Sequence, residues 1–340
     1  MAINQREIAK LLNVSQYTVS VAFGSEGRIS EEVRRKVLET ARKYDYRPNR
    51  LASGLRGSTT RTIGIIWDFV DLWAGDTMIA MDLLERLQGC DYTVYQFQFD
   101  PDADVMCRHI NEMLSRNVDA IVMRALPSHL TNPKLISLIE SAPAIVAVCR
   151  EDVELFPGDM VVHDRNLAIE QVARHFAGTG RKRPAMMLDI NEESNPPKFK
   201  AFRDQCLRLG IEDHPNMIIR LERPMNPDYI GNMHTEAVRR FFPGKMDVDA
   251  IFCFNDIGAF HVMRELQDRG IRIPEDVAVV GFNDNVIGKL WRPALASGDR
   301  KPHELAQHVE DLLMKRIKNP GGNPERRIVH MEFIRRESAG

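Results

Sequence analysis

Two patterns of apolar residues alternate along residues 62–282. Short apolar runs are typical of buried strands, and the stretches between them repeat apolar residues every three or four positions, as amphipathic helices do. The runs predict strands over residues 63–67, 92–99, 120–123, 144–149, 184–188, 217–221, 250–254 and 277–282. The intervening stretches predict helices over residues 78–87, 105–114, 167–176, 199–209, 229–241 and 257–269. Alternating strands and helices indicate parallel sheets with helices on both faces, so two doubly wound lobes of the α/β class are expected.

The first 48 residues differ, because their apolar positions follow a helical spacing throughout. In a first short helix, four apolar residues form the predicted stripe: Ile8, Ala9, Leu11 and Leu12. Asn13 follows, and a tight turn between helices needs a residue that tolerates positive φ. Ser15 can then accept a hydrogen bond from the open amides of a second helix. The pattern predicts two short helices joined by a tight turn.

The second helix has one apolar face and one face that is open to a partner. Val19 and Ala22 face inward with Val14. The outward residues are polar or small: Gln16, Tyr17, Thr18, Ser20 and Val21. A recognition helix needs such side chains, because its N-terminal residues must reach base edges in the major groove of DNA. The same pattern also fits a small helical cap with a polar surface.

A third helix completes a shared core at this end of the chain. Ser30 caps it, Glu31 and Glu32 suit the positive end of its dipole, and its apolar positions run to about Tyr44. Charge also sets this end apart: residues 1–61 hold 12 Lys and Arg against six Asp and Glu, whereas the remainder holds 34 against 42. The 340 residues have a net charge of −2, so only the first part has the basic character of a DNA-binding surface.

The stretch from Ile3 to Gly64 resembles the DNA-binding headpiece of the LacI/GalR transcription regulators. The matching positions are Ala9, Val14, Ser15, Thr18 to Ser20, the Arg28-Ile-Ser-Glu-Glu segment, Tyr46-Arg-Pro-Asn, Ala52, Leu55 and Ile63-Gly64. Residues 249–256, residues 270–284 and the segment Arg336-Glu-Ser338 look like the sensor domain of the same regulators, which shares its fold with periplasmic sugar-binding proteins. The resemblance implies a helix-turn-helix headpiece and a hinge helix, followed by a two-lobed periplasmic-binding-protein-like domain.

The resemblance also implies which residues touch DNA. Gln16 and Tyr17 are expected to read bases, and Val21 stands where many family members have an arginine. In the linker over residues 49–61, a hinge helix is expected to fold on DNA and to insert Leu55 between base pairs of the minor groove. The predicted DNA-binding residues are Ser15, Gln16, Tyr17, Thr18, Ser20, Val21, Arg28, Asn49, Ala52 and Leu55.

A small-molecule effector is expected between the two lobes, at the carboxyl ends of the strands. Lys198 stands where the family commonly has an arginine that grips the ligand, and Asn283 replaces the usual aspartate of a Gly-Phe-Asp-Asp motif. Lysine lacks the bidentate fork of arginine, and an amide offers one acceptor and one donor group. These departures leave room for an anionic or modified sugar, or for no effector. The same residues also fit a solvated lysine and a turn asparagine.

Other residues are expected to border the same cleft. Asn255 and Arg150 match family positions near the ligand, and Asp68 follows the first strand. Three tryptophans lie at predicted strand ends, where stacking on a sugar face and packing within the protein are equally consistent with the pattern. The predicted effector-binding residues are Trp67, Asp68, Trp73, Arg150, Lys198, Asn255, Asn283 and Trp291.

The sequence gives little support to metal, redox, membrane or catalytic chemistry. Its five cysteines are odd in number and widely spaced, which predicts buried free thiols in a reducing cytosol. It has no CxxC or HxxxH pair, no Walker A loop and no GxSxG motif. It also lacks an apolar run of the roughly 20 residues that a membrane span needs. No cofactor, metal, membrane association or enzymatic activity is expected.

The sequence therefore predicts a cytoplasmic, homodimeric transcriptional repressor that binds a near-palindromic operator and responds to a sugar or sugar acid. The expected parts are a headpiece over residues 1–48, a hinge and linker over residues 49–61, and an effector-binding and dimerisation domain over residues 62–340. The lobes of that domain are expected over residues 62–160 plus 291–318, and over residues 161–290 plus 319–340. A solute-binding protein and an effector-independent DNA-binding regulator are the alternatives.

Overall fold

The structure, a computed structural model, describes most of the chain as two units, residues 1–62 and residues 63–340. The residues that it describes are 3–23, 29–46, 59–68, 75–188, 195–221, 233–244 and 246–340.

Helices build the first unit around one small core. In its described residues they are α1 (Gln5–Leu12), α2 (Gln16–Phe23) and α3 (Glu31–Lys43). Asn4 and Glu7 form a reciprocal capping box at the start of α1, and Asn13 ends that helix with a φ of 51°. The buried core residues are Ile8, Ala9, Val19, Ala22, Val37 and Ala41. All three predicted helices are present, and the turn residue adopts the predicted left-handed conformation.

Leu11 does not belong to this core, so the predicted stripe of α1 was wrong at that position. The Leu11 side chain is 56% exposed, whereas Ile8 is fully buried. Residues 8, 9 and 12 share one face of a helix, and position 11 is turned about 100° away from the middle of that face.

Strands and helices alternate through the second unit. Its strands are β1 (Thr62–Trp67), β2 (Thr93–Gln98), β3 (Ala120–Ala125), β4 (Ile145–Arg150), β5 (Asp159–Asp164), β6 (Pro184–Leu188), β7 (Ile218–Arg220), β8 (Ala250–Cys253), β9 (Ala278–Val280), β10 (Ser297–Asp299), β11 (Arg326–His330) and β12 (Glu332–Ile334). Its helices are α4 (Gly75–Gly89), α5 (Ala103–Ser115), α6 (Pro133–Ser141), α7 (Asn166–Gly178), α8 (Asn195–Arg208), α9 (Met233–Phe241), α10 (Asp256–Asp268), α11 (Val286–Leu290) and α12 (Pro302–Lys318). Short 3-10 helices span Pro127–Thr131 and Glu337–Ala339.

The sheet of the first lobe has the strand order β11-β5-β4-β3-β1-β2. The pairs β1–β3, β3–β4, β4–β5 and β5–β11 are parallel. One face packs against α4 and α12 through residues that include Leu83 and Leu312. The other face packs against α5 and α6 through Met113 and Leu135. Because both faces are covered, the inner strands are almost continuous apolar runs.

The sheet of the second lobe has the order β7-β6-β8-β9, and its paired strands are parallel. Helices α7 and α8 cover one face, where the rings of Phe176 and Phe202 pack edge to face. Helices α9 and α10 cover the other face through Val238 and Met263. Strands β10 and β12 form a separate antiparallel pair. Two parallel lobes after a helical N-terminal unit confirm the predicted fold class.

The chain passes between the lobes at three described segments, each somewhat later in the chain than the approximate boundary that was expected. Strand β5 belongs wholly to the first sheet, so the first passage follows Asp164. The second passage follows Asp299 at the end of β10, and the third follows His330 at the end of β11. Neither β10 nor β11 is an apolar run: the first reads Ser-Gly-Asp, and the second reads Arg-Arg-Ile-Val-His at a sheet edge. Such strands give no hydrophobic signal in a sequence.

Candidate functional site

The start of α2 presents the polar face that was predicted to contact a partner. The Ser15 hydroxyl accepts a hydrogen bond from the Thr18 backbone N–H at 2.9 Å and lies 2.8 Å from the Thr18 hydroxyl. Tyr17 is 74% exposed, while Gln16 and Ser20 are half-buried. The capped end of the helix leaves backbone amides and hydroxyls at one edge, and such edges attract phosphate oxygens.

Val21 was predicted to lie on the exposed face of α2, and this was wrong. Its side chain is only 7% exposed. Helix α2 packs against both α1 and α3, so its neighbours cover more of its circumference than the inward stripe of Val19 and Ala22. A buried valine is not available for reading bases.

Arg34 of α3 supports the recognition surface, a role that was not predicted. Its Nη1 donates to the carbonyl of Ala22 at 3.0 Å, near the end of α2. The contact gives a carbonyl in the last turn of α2 a hydrogen-bond donor and fixes α2 on α3. The other predicted DNA-binding residues, Arg28, Asn49, Ala52 and Leu55, lie outside the described residues.

In the second unit, polar residues lie at the carboxyl ends of the strands of the first lobe. Asp68 follows β1 and accepts a hydrogen bond from Gln98 Nε2 at 3.0 Å, with Arg124 Nη1 at 3.9 Å from its other oxygen. Arg150, the last residue of β4, makes a two-bond ion pair with Asp152 at 3.1 and 2.7 Å. Asp68 and Arg150 therefore lie at the same edge of the parallel sheet, where the prediction placed them.

In the second lobe, the buried carboxyl of Asp256 organises the loop after β9. It accepts hydrogen bonds from the backbone N–H groups of Phe282 at 2.8 Å and Asn285 at 2.5 Å, and from the Ser297 hydroxyl at 2.6 Å. Burial raises the pKa of the Asp256 carboxyl, although these three donors act in the opposite direction. The carboxyl ties α10, the loop and β10 together.

The C-terminal segment clamps the same loop. Arg336 donates to Asp284 and, at 2.7 Å, to the carbonyl of Leu295. The buried Ser338 hydroxyl donates to Val279 O at 2.6 Å and accepts from Ala296 N–H at 2.9 Å. The Arg-Glu-Ser segment that contributed to the family resemblance therefore has a structural role here.

The two asparagines of the predicted effector site differ in their environments. Asn255 caps α10, and its side-chain oxygen accepts from Gly258 N–H at 2.7 Å. Asn283 lies in the loop held by Asp256, and its backbone N–H donates to the Ser297 hydroxyl at 3.0 Å. Its side-chain oxygen lies 3.4 Å from Arg300 Nη1. Asn283 is thus more than a turn residue.

Lys198 is buried, which argues against the alternative of a solvated lysine. Its side chain is on α8, the residue is 8% exposed, and Nζ lies 5.6 Å from the centre of the Phe282 ring. A cation over an aromatic face is electrostatically favourable. Since Asn283 follows Phe282 in the chain, the structure brings Lys198 close to the Asn283 loop.

Arg300 and His163 also lie near the Asn283 loop, and neither was among the predicted residues. Arg300 lies in the segment that passes from the second lobe to the first, just after β10. Its Nη2 lies 3.3 Å from Nδ1 of His163, the buried penultimate residue of β5. A guanidinium can only donate, so Nδ1 is the acceptor in this contact. Neither residue lies in a predicted strand or motif, which explains the omission.

The tryptophans do not support ligand stacking. Trp67 is fully buried in the core of the first lobe, because it is the last residue of β1 rather than a loop residue. The Trp291 ring stacks on Phe260 of α10, with ring centres 4.9 Å apart. The complete burial of Trp67 corrects its place among the predicted effector-binding residues, whereas the stacking of Trp291 on Phe260 favours the packing alternative. Trp73 lies outside the described residues.

The cysteines are free, and four of the five are buried. Burial raises the pKa of the Cys149 and Cys206 thiols to about 12. A thiol with so high a pKa is a poor nucleophile, because the thiolate is the reactive form. The prediction of buried free thiols is confirmed for Cys107, Cys149, Cys206 and Cys253, whereas Cys90 is half-buried.

Among the described residues, no helix is both long enough and apolar enough to cross a membrane.

Two family matches cover different parts of the chain. Residues 5–49 match the bacterial regulatory proteins of the lacI family. Residues 173–339 match the periplasmic binding protein-like domain. The first match covers all three helices of the first unit, and the second covers the second lobe and both of its later connections to the first.

Relatives and solved structures are similar over nearly the whole chain. Catabolite control protein A of Priestia megaterium is 25% identical over 319 residues, which cover 93% of this chain and 92% of that protein. The crystal structure of the lac repressor dimer bound to operator and the anti-inducer ONPF has a TM-score of 0.83 at 15% identity, covering 100% of this chain and 99% of that one. The complex of the transcriptional regulator CelR with cellobiose has a TM-score of 0.67 at 20% identity and covers 99% of both chains. At these identities, the two solved structures support the fold alone.

Proposed function

Because the chain belongs to the LacI family of bacterial regulatory proteins and is a DNA-binding transcriptional regulator, we propose that it acts as a repressor on a near-palindromic operator. It binds this operator as a homodimer and is controlled by a small-molecule effector. The observation that carries the proposal is the exposed, Ser15-capped start of α2 on a packed three-helix unit.

Base reading falls to the residues of α2 that are accessible. Tyr17 is the most exposed of them, and Gln16 precedes it on the first turn of the helix. Glutamine can make a bidentate contact with adenine in the major groove. Ser15, Thr18 and Ser20 are closer in chemistry to phosphate contacts, and Arg28 supplies a charge for the backbone. The buried Val21 has no part in this reading.

The hinge proposal rests on the family resemblance of the linker. Asn49 caps a hinge helix, Ala52 allows two such helices to approach, and Leu55 enters the minor groove at the centre of the operator. An apolar wedge costs a few kcal/mol of base unstacking and gains a bent, wider contact. Leu55→Ala is expected to weaken operator binding severely while nonspecific binding is nearly unchanged. Equal loss on both kinds of DNA would contradict the proposed wedge.

The effector, a sugar or sugar acid, binds at the strand ends that carry Asp68 and Arg150 in the first lobe and Asn255 and Asn283 in the second. Lys198 of α8 contributes from the second lobe. Support comes from the burial of Lys198 and from the way Asp256 holds the Asn283 loop. An effector that favours one arrangement of the lobes changes operator affinity by a coupling energy of roughly 1–3 kcal/mol.

Dimerisation has support in an exposed apolar face of α4. Met78 and Met81 lie three residues apart on that helix and are 53% and 61% exposed. Strand β2 forms the edge of the adjacent sheet and exposes Tyr95. Methionine-rich and aromatic surfaces of this kind are suited to burial against a second copy. A protein acting on chromosomal DNA with free thiols also fits the cytoplasm.

Selection of bound duplexes from a randomised DNA pool tests the proposal. The selection is run at near-physiological salt, with and without a panel of sugars and sugar acids. A recovered near-palindrome is expected, and its loss or gain with one compound names the effector and the direction of control. Salt-sensitive binding without sequence preference would contradict operator recognition, because phosphate contacts alone give that behaviour.

A further inference from the structure

We propose that the first turn of α2 reads A·T base pairs, with Gln16 on the major-groove edge of an adenine and Tyr17 on the methyl group of a thymine. The inference rests on the proposed function, because it specifies the operator that the headpiece binds. It goes further by excluding guanine and cytosine from the bases that these two side chains read.

Helix α2 carries no charged side chain, which limits the bases that it can recognise. Its eight residues read Gln-Tyr-Thr-Val-Ser-Val-Ala-Phe, and none of them is acidic or basic. Guanine is read most often by arginine or lysine, which donate to O6 and N7, and cytosine by a carboxylate that accepts from its N4 amino group. Helix α2 therefore lacks the side chains that most often recognise a G·C pair.

The neighbouring helices do not supply the missing charge at the first turn of α2. The Nη1 atom of Arg34 lies 3.0 Å from the carbonyl oxygen of Ala22, at the far end of α2. Lys10 is exposed on α1, and the first helix of a helix-turn-helix crosses the DNA backbone, so this charge is suited to a phosphate. Val21, where many family members have an arginine, is 7% exposed.

The side chains of Gln16 and Tyr17 are available to a partner. Within the described residues, no hydrogen bond or ion pair engages either of them, whereas the Thr18 hydroxyl lies 2.8 Å from the Ser15 hydroxyl. Tyr17 is 74% exposed and Gln16 is half-buried. Both residues can therefore contact base edges without first losing a bond within the headpiece.

The chemistry of these two side chains matches the two bases of an A·T pair. The amide of Gln16 presents a donor and an acceptor side by side, as the N7 and N6 positions of adenine require. The ring of Tyr17 offers apolar surface to the thymine methyl group, which a G·C pair lacks. Successive helical residues are turned by about 100°, so the two side chains are directed at neighbouring base pairs. Each half-site should therefore contain a step of two A·T pairs.

Selection of bound duplexes by the full-length protein identifies the base pairs that the two side chains read. The selection is run with wild type, Gln16→Ala and Tyr17→Ala. Each substitution is expected to remove the preference at one base pair of every half-site, and both of these pairs are expected to be A·T. In the wild type, replacing either pair by G·C should weaken binding roughly 10- to 100-fold.

Modified bases test the two contacts at the level of single groups. The base 7-deazaadenine keeps the pairing edge of adenine but lacks the N7 acceptor. It should weaken wild-type binding by roughly tenfold and cause no further loss in Gln16→Ala, because the two changes remove the same contact. Uracil lacks the methyl group of thymine. It should weaken wild-type binding about fourfold and cause no further loss in Tyr17→Ala.

A change of specificity separates base reading from a purely structural role. Gln16→Arg gives α2 a fork of donors for guanine, so the preferred base pair at that position is expected to become G·C. Leu11→Arg adds the same charge at a position of α1 that is 56% exposed, and should keep the A·T preference. The headpiece unfolding transition shows whether each variant is folded.

The inference is overturned if the pair read by Gln16 or Tyr17 is G·C, or if either alanine variant, folded, keeps every base preference. It is also overturned if a modified base weakens the matching alanine variant as much as wild type, if folded Gln16→Arg still selects A·T, or if Leu11→Arg selects G·C. In each of these cases, a recovered near-palindrome leaves the proposed function intact. Recovery of no preferred sequence would contradict the proposed function and the inference together.

Discussion

The two units of this protein build their functional sites from the chain in different ways. In the first unit, the recognition residues follow one another along α2. A small core cluster, with six buried residues among those that the structure describes, holds them in place. In the second unit, the candidate effector site joins His163, Lys198, Asn283 and Arg300, which are far apart in the chain. A local site survives as long as one helix is packed, whereas an assembled site depends on many tertiary contacts.

The difference in core size has consequences for stability. A unit of about 60 residues buries a smaller fraction of its surface than a larger domain and is correspondingly marginal. The second unit has four apolar clusters on the two faces of its two sheets. We therefore expect two separable unfolding transitions, the weaker one in the headpiece.

The largest predicted effect follows from a charge in the small core. Val37 is fully buried on α3, away from the recognition helix. Val37→Asp should destabilise the headpiece by about 4 kcal/mol or more, because a carboxylate without a partner is buried there. Calorimetry should lose the headpiece transition and keep the later one, and operator binding should disappear.

Leu11→Asp is the matched control for that change, since Leu11 belongs to the same unit but is 56% exposed. Its headpiece transition should stay close to that of wild type. If both substitutions were equally damaging, or both harmless, the small-core description would be wrong.

A second prediction concerns the buried carboxyl that organises the assembled site. Asp256→Ala leaves two backbone N–H groups and the Ser297 hydroxyl without their acceptor. Loss of these bonds should destabilise the second unit by about 3 kcal/mol, without moving the headpiece transition. Asp213→Ala removes a surface carboxylate paired with Arg203 in the same lobe, and should change little. Similar effects of the two would contradict the role of Asp256.

A third prediction concerns a substitution that changes operator binding and leaves the stability of the headpiece unchanged. Tyr17→Ala should weaken binding to the selected operator by roughly tenfold, in the range of one base contact, and should spare a scrambled duplex. The headpiece transition should be unchanged, because Tyr17 is 74% exposed. Tyr44→Ala, at the end of α3, serves as the control and should bind both duplexes normally. A uniform loss on both duplexes would indicate that Tyr17 contacts the DNA backbone rather than a base.

The smallest predicted effect is a pH dependence of the second unit. Burial, and to a lesser extent Arg264, lower the pKa of His261 below its ordinary value of 6.5. The folded state therefore favours the neutral ring, so stability is complete above pH 6.5 and falls as the pH drops below it.

His261→Gln keeps a hydrogen-bonding group opposite Thr235 and removes the titration. Arg239 and Glu265, which line one cleft with Thr235 and His261, keep their ion pair. Between about pH 7.5 and about pH 5.5, the Tm of the His261→Gln variant should fall less than that of wild type. An equal fall in both proteins would show that other groups account for the acid sensitivity.

The sequence predicted the local features better than the assembled ones. Asn13, Ser15 and Ser30 have the conformations or caps expected of them, because caps and turns depend on neighbouring residues. Val21 was wrongly predicted to be exposed, because a helix of eight residues between two other helices is covered on more than one side. The prediction that Leu11 belongs to the apolar stripe of α1 was wrong for a related reason. The spacing of apolar residues indicates that a helix has a buried face, but it gives the direction of that face less accurately.

In the second unit, apolar runs predicted most of the buried strands, because parallel sheets covered on both faces need them. The inner strand β5 was missed although it is buried. The edge strand β11 and the three-residue strand β10 had no such signal. Arg300 and His163 were missed because no local pattern links position 163 to position 300. Helix α12 was missed although Leu305, Val309 and Leu312 keep a helical spacing, which was available in the sequence.

The most direct test of operator recognition is the affinity of the wild-type protein for three duplexes: the selected palindrome, the same duplex with one half-site scrambled, and a fully scrambled duplex. Fluorescence anisotropy at near-physiological salt gives the three Kd values. The palindrome is expected to bind about 1000-fold more tightly than the scrambled duplex, with the half-site duplex between them. Equal affinity for all three would contradict a dimer that reads two half-sites through α2.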